Sequence, residues 1–343
     1  MSLLAAVGLN AGCGKNTVNS PAISTSDTPS LDQARVASVV AIEPEVVEDG
    51  QFESADITSL GAGPGATGAL AAINPLRFWR VITRVERSFE FAFADSDSTG
   101  RPTTAFVTVH KSLAGHFNIL TGAPRGDSTA LDSSVSIIRK PLADHWVRRI
   151  LLKRVPAADS AGRAWRVAAT SAARATSRDA TTRIASLRVQ TAGVDTTLTD
   201  PLNFFYLRRI LKLEPGTPVT LTVTTLKNDD VVVMCRFGRR FRFLPTGDNT
   251  YTGVWQLPDL RMGNGPRPDP GRPPIFHFGV NALSHGTLFD DQAPYDSQAW
   301  LLPVVLAPDQ VADALPQSLF ARTSPSPAAT PVRGGRLEDQ QAP

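Results

Sequence analysis

Cysteine is nearly absent: Cys13 and Cys235 are the only two thiols in 343 residues. That is too few for a disulfide scaffold or a cysteine-built zinc site. No apolar run approaches the ~18 residues of a membrane-spanning helix, which excludes a protein crossing a bilayer by helices. The signatures of common enzymes are missing too, with no G-x-S-x-G elbow, Walker loop, H-E-x-x-H or C-x-x-C. Gly263-Asn-Gly265 sits among prolines, so it opens no phosphate-binding helix. Ser284, His285 and Asp290 could be assembled on paper as a triad. Neighbours on a strand point to opposite faces, however, and that argues against it. These absences favour a non-catalytic protein.

Hydrophobic residues make up 42% of the chain, enough to bury sizeable cores, while 27 prolines and 25 glycines point to many turns and some unfolded segments. The net charge of +3 conceals an asymmetry: −6 over residues 1–73, +10 over 74–192 and −1 over 193–343. The basic middle carries no recognised nucleic-acid-binding motif, so no nucleic-acid partner is expected. An acidic leader ahead of a basic module reads as a solvating tail.

The N-terminus holds the clearest signal. Met1–Gly12 reads Met-Ser-Leu-Leu-Ala-Ala-Val-Gly-Leu-Asn-Ala-Gly, and Cys13 follows. A short apolar run ending in small residues before a cysteine resembles the signal peptide of a bacterial lipoprotein. Asn10 stands where leucine is usual, with Leu9 beside it. The resemblance implies export to the cell envelope and a diacylglycerol on Cys13, which would hold the protein at a membrane without a spanning helix. Residues 14–65 are rich in Ser, Thr, Pro, Ala, Gly and acids, with Phe52 as the lone aromatic, and are expected to be a disordered acidic tether. Val-Val pairs within Arg35–Val47 suit a strand formed against a partner. Gly61-Ala-Gly-Pro-Gly65 closes the tether as a joint. Residues 308–343 read as a disordered tail.

Between tether and tail the chain is expected to be mainly β, in two modules. In residues 66–180 the sequence predicts a helix over Thr67–Ile82, where Leu70, Ile73, Phe78 and Ile82 roughly share a stripe. Strands follow. Phe89, Phe91 and Phe93 alternate with Ser88, Glu90 and Ala92; Asp95–Pro102 turns the chain; Thr104–Val109 and Gly115–Leu120 return; Trp146–Val155 and Trp165–Ser171 form another hairpin. One helix followed by an antiparallel meander resembles a cystatin-like or nuclear-transport-factor-like α+β module in element order. Such cone-shaped folds often hold a pocket, and Phe89, Phe91, Phe93, Trp146 and Trp165 are its candidate lining here.

In residues 181–307 the strand signals come at close spacing. Val219, Leu221 and Val223 alternate with threonines, Val231, Val233, Cys235 and Phe237 share a face, and Trp255 points inward on alternation. Asp229-Asp230 before an apolar strand, Gly247–Trp255 and Phe276–Ala282 resemble the immunoglobulin-like β-sandwich modules of secreted bacterial proteins. Cys235 has no partner cysteine in this stretch and reads as a small buried apolar residue.

Three polar groupings invite a functional reading. Asp95-Ser-Asp97-Ser-Thr99-Gly100 matches half a calcium loop, but Phe106 stands where the closing glutamate belongs, so these are read as hairpin residues. His110, His116 and His145 have no ligand spacing and read as structural or exposed histidines. The loop His285–Asp296 is the densest constellation. Asp290, Asp291 and Asp296 could hold calcium and stiffen an adhesion-type sandwich, and His277, His285 and an aspartate could hold zinc. The alternative is a loop whose acids cap turns. No other cofactor is expected, and the partners implied are a membrane through the lipid and an envelope protein or glycan.

Overall fold

Long strands dominate because β-branched and aromatic residues run at period two through most of the chain. The computed structural model describes residues 31–42, 58–60, 73–122, 135–155, 164–236, 239–257 and 275–306. Cys13, the Gly61–Gly65 joint and the 308–343 segment lie outside the described residues. The elements are α1 (Leu31–Ile42), β1 (Thr58–Ser59), β2 (Pro75–Ser96), β3 (Pro102–Thr121), β4 (Ser136–Arg154), β5 (Trp165–Thr170), β6 (Ala173–Ser177), β7 (Ile184–Thr191), β8 (Val194–Leu198) and β9 (Phe205–Tyr206). After a 3-10 turn at Leu207–Arg209 come β10 (Leu211–Leu213), β11 (Pro218–Thr225), β12 (Val231–Arg236), β13 (Arg239–Arg242), β14 (Leu244–Gly247), β15 (Thr250–Gln256), β16 (Ile275–Leu283), α2 (His285–Phe289) and β17 (Ser297–Leu306).

The protein is mainly β, and its strands pair antiparallel except β10, which runs parallel to β17. A 12-stranded sheet runs in the order β1-β2-β3-β4-β6-β17-β16-β12-β13, with β5, β9 and β10 joined to its sides. A five-stranded sheet runs β14-β15-β11-β7-β8. The division expected at 180/181 falls inside the large sheet, where β6 pairs with β17 through Gln298↔Thr176 to Leu301↔Ala173.

Three apolar clusters organise the packing. The first joins the two sheets: Leu187, Val219 and Leu221 from the small sheet meet Met234, Phe278 and Leu302 from the large one. A second cluster groups Phe78, Phe117, Trp146, Val233, Leu288 and Leu301, drawn from both halves of the chain. The third lies under α1, where Val36 and Val40 pack with Phe91, Val107, Ile150 and Trp165.

Two expectations change. The helix expected over Thr67–Ile82 is strand from Pro75 onward. Its apparent helical period has a cause. Thr83 is a bulge, since Ile82 pairs with Gly115 and Arg84 with Ala114. The extra residue flips the alternation, so Phe78, Ile82, Val85 and Phe89 share a face at spacings of 4, 3 and 4. Conversely, the stretch expected to be an unstructured tether contains α1 and β1. Val36 and Val40, at i and i+4, supply a buried helix face, so the Val39-Val40 pair lies on a helix and not on a strand, and Val46-Val47 lies outside the described residues. The carboxylate of Asp32 lies 2.7 Å from Arg154 and accepts from the Trp165 indole N–H at 3.4 Å, which fixes the first turn of α1.

Candidate functional site

Sheet register builds the site. His110 on β3, Val147 on β4, Arg174 on β6 and Trp300 on β17 are direct cross-strand partners in one row. Ser112, His145, Thr176 and Gln298 form the next row on the same face. Trp300 belongs to the cluster between the two sheets, so this face is the one the small sheet covers. Where that cover ends, a cleft of about 570 Å³ opens. His145, Arg174, Thr176 and Trp300 line its floor, and Arg183 and Asp200 come from the small-sheet side.

The polar groups divide into engaged and available. Gln298 Oε1 accepts from the Ile184 amide at 2.8 Å and ties the two sheets together. Asp200 accepts from the Leu202 amide at 2.9 Å and shapes its own turn. Arg183 donates to the neighbouring Thr182 carbonyl at 2.9 Å. The Arg174 guanidinium is half-buried and has no hydrogen bond or ion pair to another described residue. The Trp300 indole N–H, on a residue only 2% exposed, also finds no acceptor among them. His145 stacks on His110 with ring centroids 5.4 Å apart, and its Nε2 lies 3.3 Å from His110 Nδ1. Burial pushes the His145 imidazole down from its ordinary value, and His110 and Arg174 push the same way, so the ring is neutral near pH 7. His110 Nε2 also lies 3.4 Å from Glu90. The cleft therefore presents two guanidiniums, one carboxylate, a neutral imidazole and apolar walls, a set suited to binding an anion.

The residues singled out from sequence sit elsewhere. Phe89, Phe91, Phe93 and Trp165 do come together, with Phe93 and Trp165 rings 6.1 Å apart, but α1 packs on them; Trp146 belongs to the second cluster. None of the five lines the cleft. Asp290 accepts from the amides of Gln292 and Ala293, and Asp291 accepts from the Gln292 side chain. Asp296, 8% exposed, takes the amides of Thr181 and Thr182 and the Thr181 hydroxyl. Among the described residues no group of three or more His, Cys, Asp or Glu is placed to hold a metal ion. His277 Nε2 lies 3.4 Å from Arg148, and His285 stacks on Phe289 within α2. Ser284 caps that helix by accepting from the Thr287 amide. Asp97 closes the hairpin between β2 and β3, accepting from the Thr99 hydroxyl and the Thr99 and Arg101 amides, bonds that hold its carboxyl far below the usual range. His116 lies six residues along β3 from His110, about 20 Å away.

A buried polar cluster escaped the sequence altogether. Arg80 lies 3.2 Å from Asp144 and donates to the Tyr295 hydroxyl at 2.6 Å, and that hydroxyl also contacts Ser297 at 2.6 Å. Burial pushes the Asp144 carboxyl up while Arg80 pulls it down, and burial pushes the Tyr295 phenol up. No local spacing links positions 80, 144 and 295. The cluster holds β2 and β4 to the segment before β17. Lys140 does similar work, donating to the Gly286 and Asp290 carbonyls at the end of α2; burial pushes its ammonium down to about 8.

Among the described residues no helix is long and apolar enough to cross a membrane. The chain matches no protein-family model, no curated protein and no solved structure.

Proposed function

We propose that this is a non-catalytic, exported protein of a bacterial cell envelope, anchored by a lipid on Cys13 and acting in binding or scaffolding. The observation that carries the scaffolding part is the continuous sheet from β1 to β13. Its three strands of 22, 20 and 19 residues reach roughly 70 Å, a length a flexible tether could not hold rigidly. The leader before Cys13 carries the anchoring part. Residues 181–307 are read as an immunoglobulin-like sandwich, supported by two sheets that share one apolar cluster. Residues 66–180 are read as the α+β module, with β2–β5 as its meander; α1, which packs on that meander, comes from outside those bounds. A binding role fits such a frame because recognition groups grafted on a rigid sheet keep their geometry.

Metabolic labelling with an alkyne fatty acid, in a bacterial host with lipoprotein-processing enzymes, tests the reading. The wild-type chain should carry label and sediment with membranes, and Cys13→Ala should lose both. Unlabelled, cytosolic recovery of both proteins overturns it.

A further inference from the structure

We propose that the cleft between the two sheets binds a small organic anion, its phosphate or carboxylate head held by Arg174 and Arg183. This goes beyond the envelope-scaffold reading and stands or falls separately from it.

The argument starts from charge that the fold leaves unanswered. Arg174 sits mid-strand on β6, directly between Val147 and Trp300, a position where a half-buried cation is costly unless something pairs with it. Arg183 enters from the other wall, its side chain donating to its neighbour's carbonyl and to no other described residue. A guanidinium presents five donors in a planar fork that fits an oxyanion through two parallel bonds. Thr176 adds a hydroxyl in the same floor, beside the Trp300 side chain.

The opposing charge on the rim is Asp200, which is exposed and bound to its own turn. It rejects an anion placed against it and so directs the head toward Arg174. At about 570 Å³ the cleft exceeds an inorganic ion and falls within the range of small-molecule sites, ~300–1,000 Å³. Val147, Ile184 and Pro201 supply an apolar wall for the body of the ligand.

Calorimetric titration of the full chain with phenyl phosphate, benzoate, phenol and benzylamine tests the site. Phenyl phosphate or benzoate should bind saturably, and phenol and benzylamine should not. Whichever anion binds more tightly identifies the head group. Arg174→Gln should weaken the anion by about tenfold or more, the loss expected for one charge-assisted hydrogen bond. Should that variant fail to fold by circular dichroism, Arg174→Lys keeps the charge, loses the fork and should still weaken binding severalfold. No saturable anion binding, equal binding of phenol, or affinity unchanged by the substitutions overturns the proposal.

Discussion

At the scale of single residues, the chain tolerates several buried polar groups, and they differ in what they contribute. Arg80, Asp144 and Tyr295 bind one another through Asp144 Oδ2, while Asp144 Oδ1 has no partner among the described residues, and removing any one would strand the others. Asp230 is a second buried acid with one oxygen unmet. It is 4% exposed, its Oδ1 accepts from the Thr182 hydroxyl at 3.3 Å and its Oδ2 has no partner among the described residues. Burial pushes its carboxyl up to about 6, with Asp229 adding to the push and the Thr182 hydroxyl opposing it. An unfolded aspartate ionises near ~3.9. Between those values the folded chain keeps a proton that the unfolded chain has lost, so stability falls as pH rises through the window and the loss is complete above it. Asp230→Asn has no charge to bury and can still accept from Thr182. Its melting temperature relative to wild type should therefore improve by roughly a few degrees between pH 4 and pH 7. An offset that is the same at both pH values would show that Asp230 is not held protonated by the fold.

At the scale of elements, legibility followed the regularity of the local pattern. In β11, Val219, Leu221 and Val223 are each 0% exposed and alternate with threonines, so the strand and its inner face could be read directly. The turn at Asp95–Pro102 was equally plain, because Asp95 and Gly100 take positive φ there. β2 was opaque because one bulged residue turned a period of two into the spacing of a helix. The cleft was opaque for a different reason. His145, Arg174, Arg183 and Trp300 meet only through the register of three strands and the cover of a second sheet, and no local window contains that register. The bulge also makes a prediction. A Cβ at Gly115 would lie 2.0 Å from the Val81 carbonyl oxygen and 3.0 Å from the Ile82 Cα, backbone atoms that cannot swing aside. Gly115→Ala should cost about 2 kcal/mol by forcing the two long strands apart, read as a lowered urea midpoint. Gly193→Ala, where a Cβ would meet nothing within 4 Å, is the matched control and should change stability by no more than ~0.5 kcal/mol.

At the scale of the whole molecule, β17 decides how many units the chain contains. Composition and strand spacing suggested a boundary near residue 180, yet β17 bonds to β16 over nine residue pairs and to β6 over four. Its alternate faces serve different cores. Trp300, Leu302 and Val304 face the small sheet, and Ala299 and Leu301 join the cluster built with Phe78, Phe117 and Trp146 from the first half. A fragment of residues 181–307 would lose β6, leaving Gln298–Leu301 of β17 unpaired on the edge that β10 covers only at Val304–Leu306. It would also uncover Val231, Val233, Leu283 and Leu301, an apolar face of the kind that drives association. The full chain should therefore melt in a single calorimetric transition. The isolated 181–307 fragment should lack a near-ultraviolet circular dichroism signal or elute as an aggregate on size exclusion. A monomeric fragment with native-like near-ultraviolet signal would show that the small sheet and its partner strands fold without the long hairpins, and that the shared cluster adds little to either half.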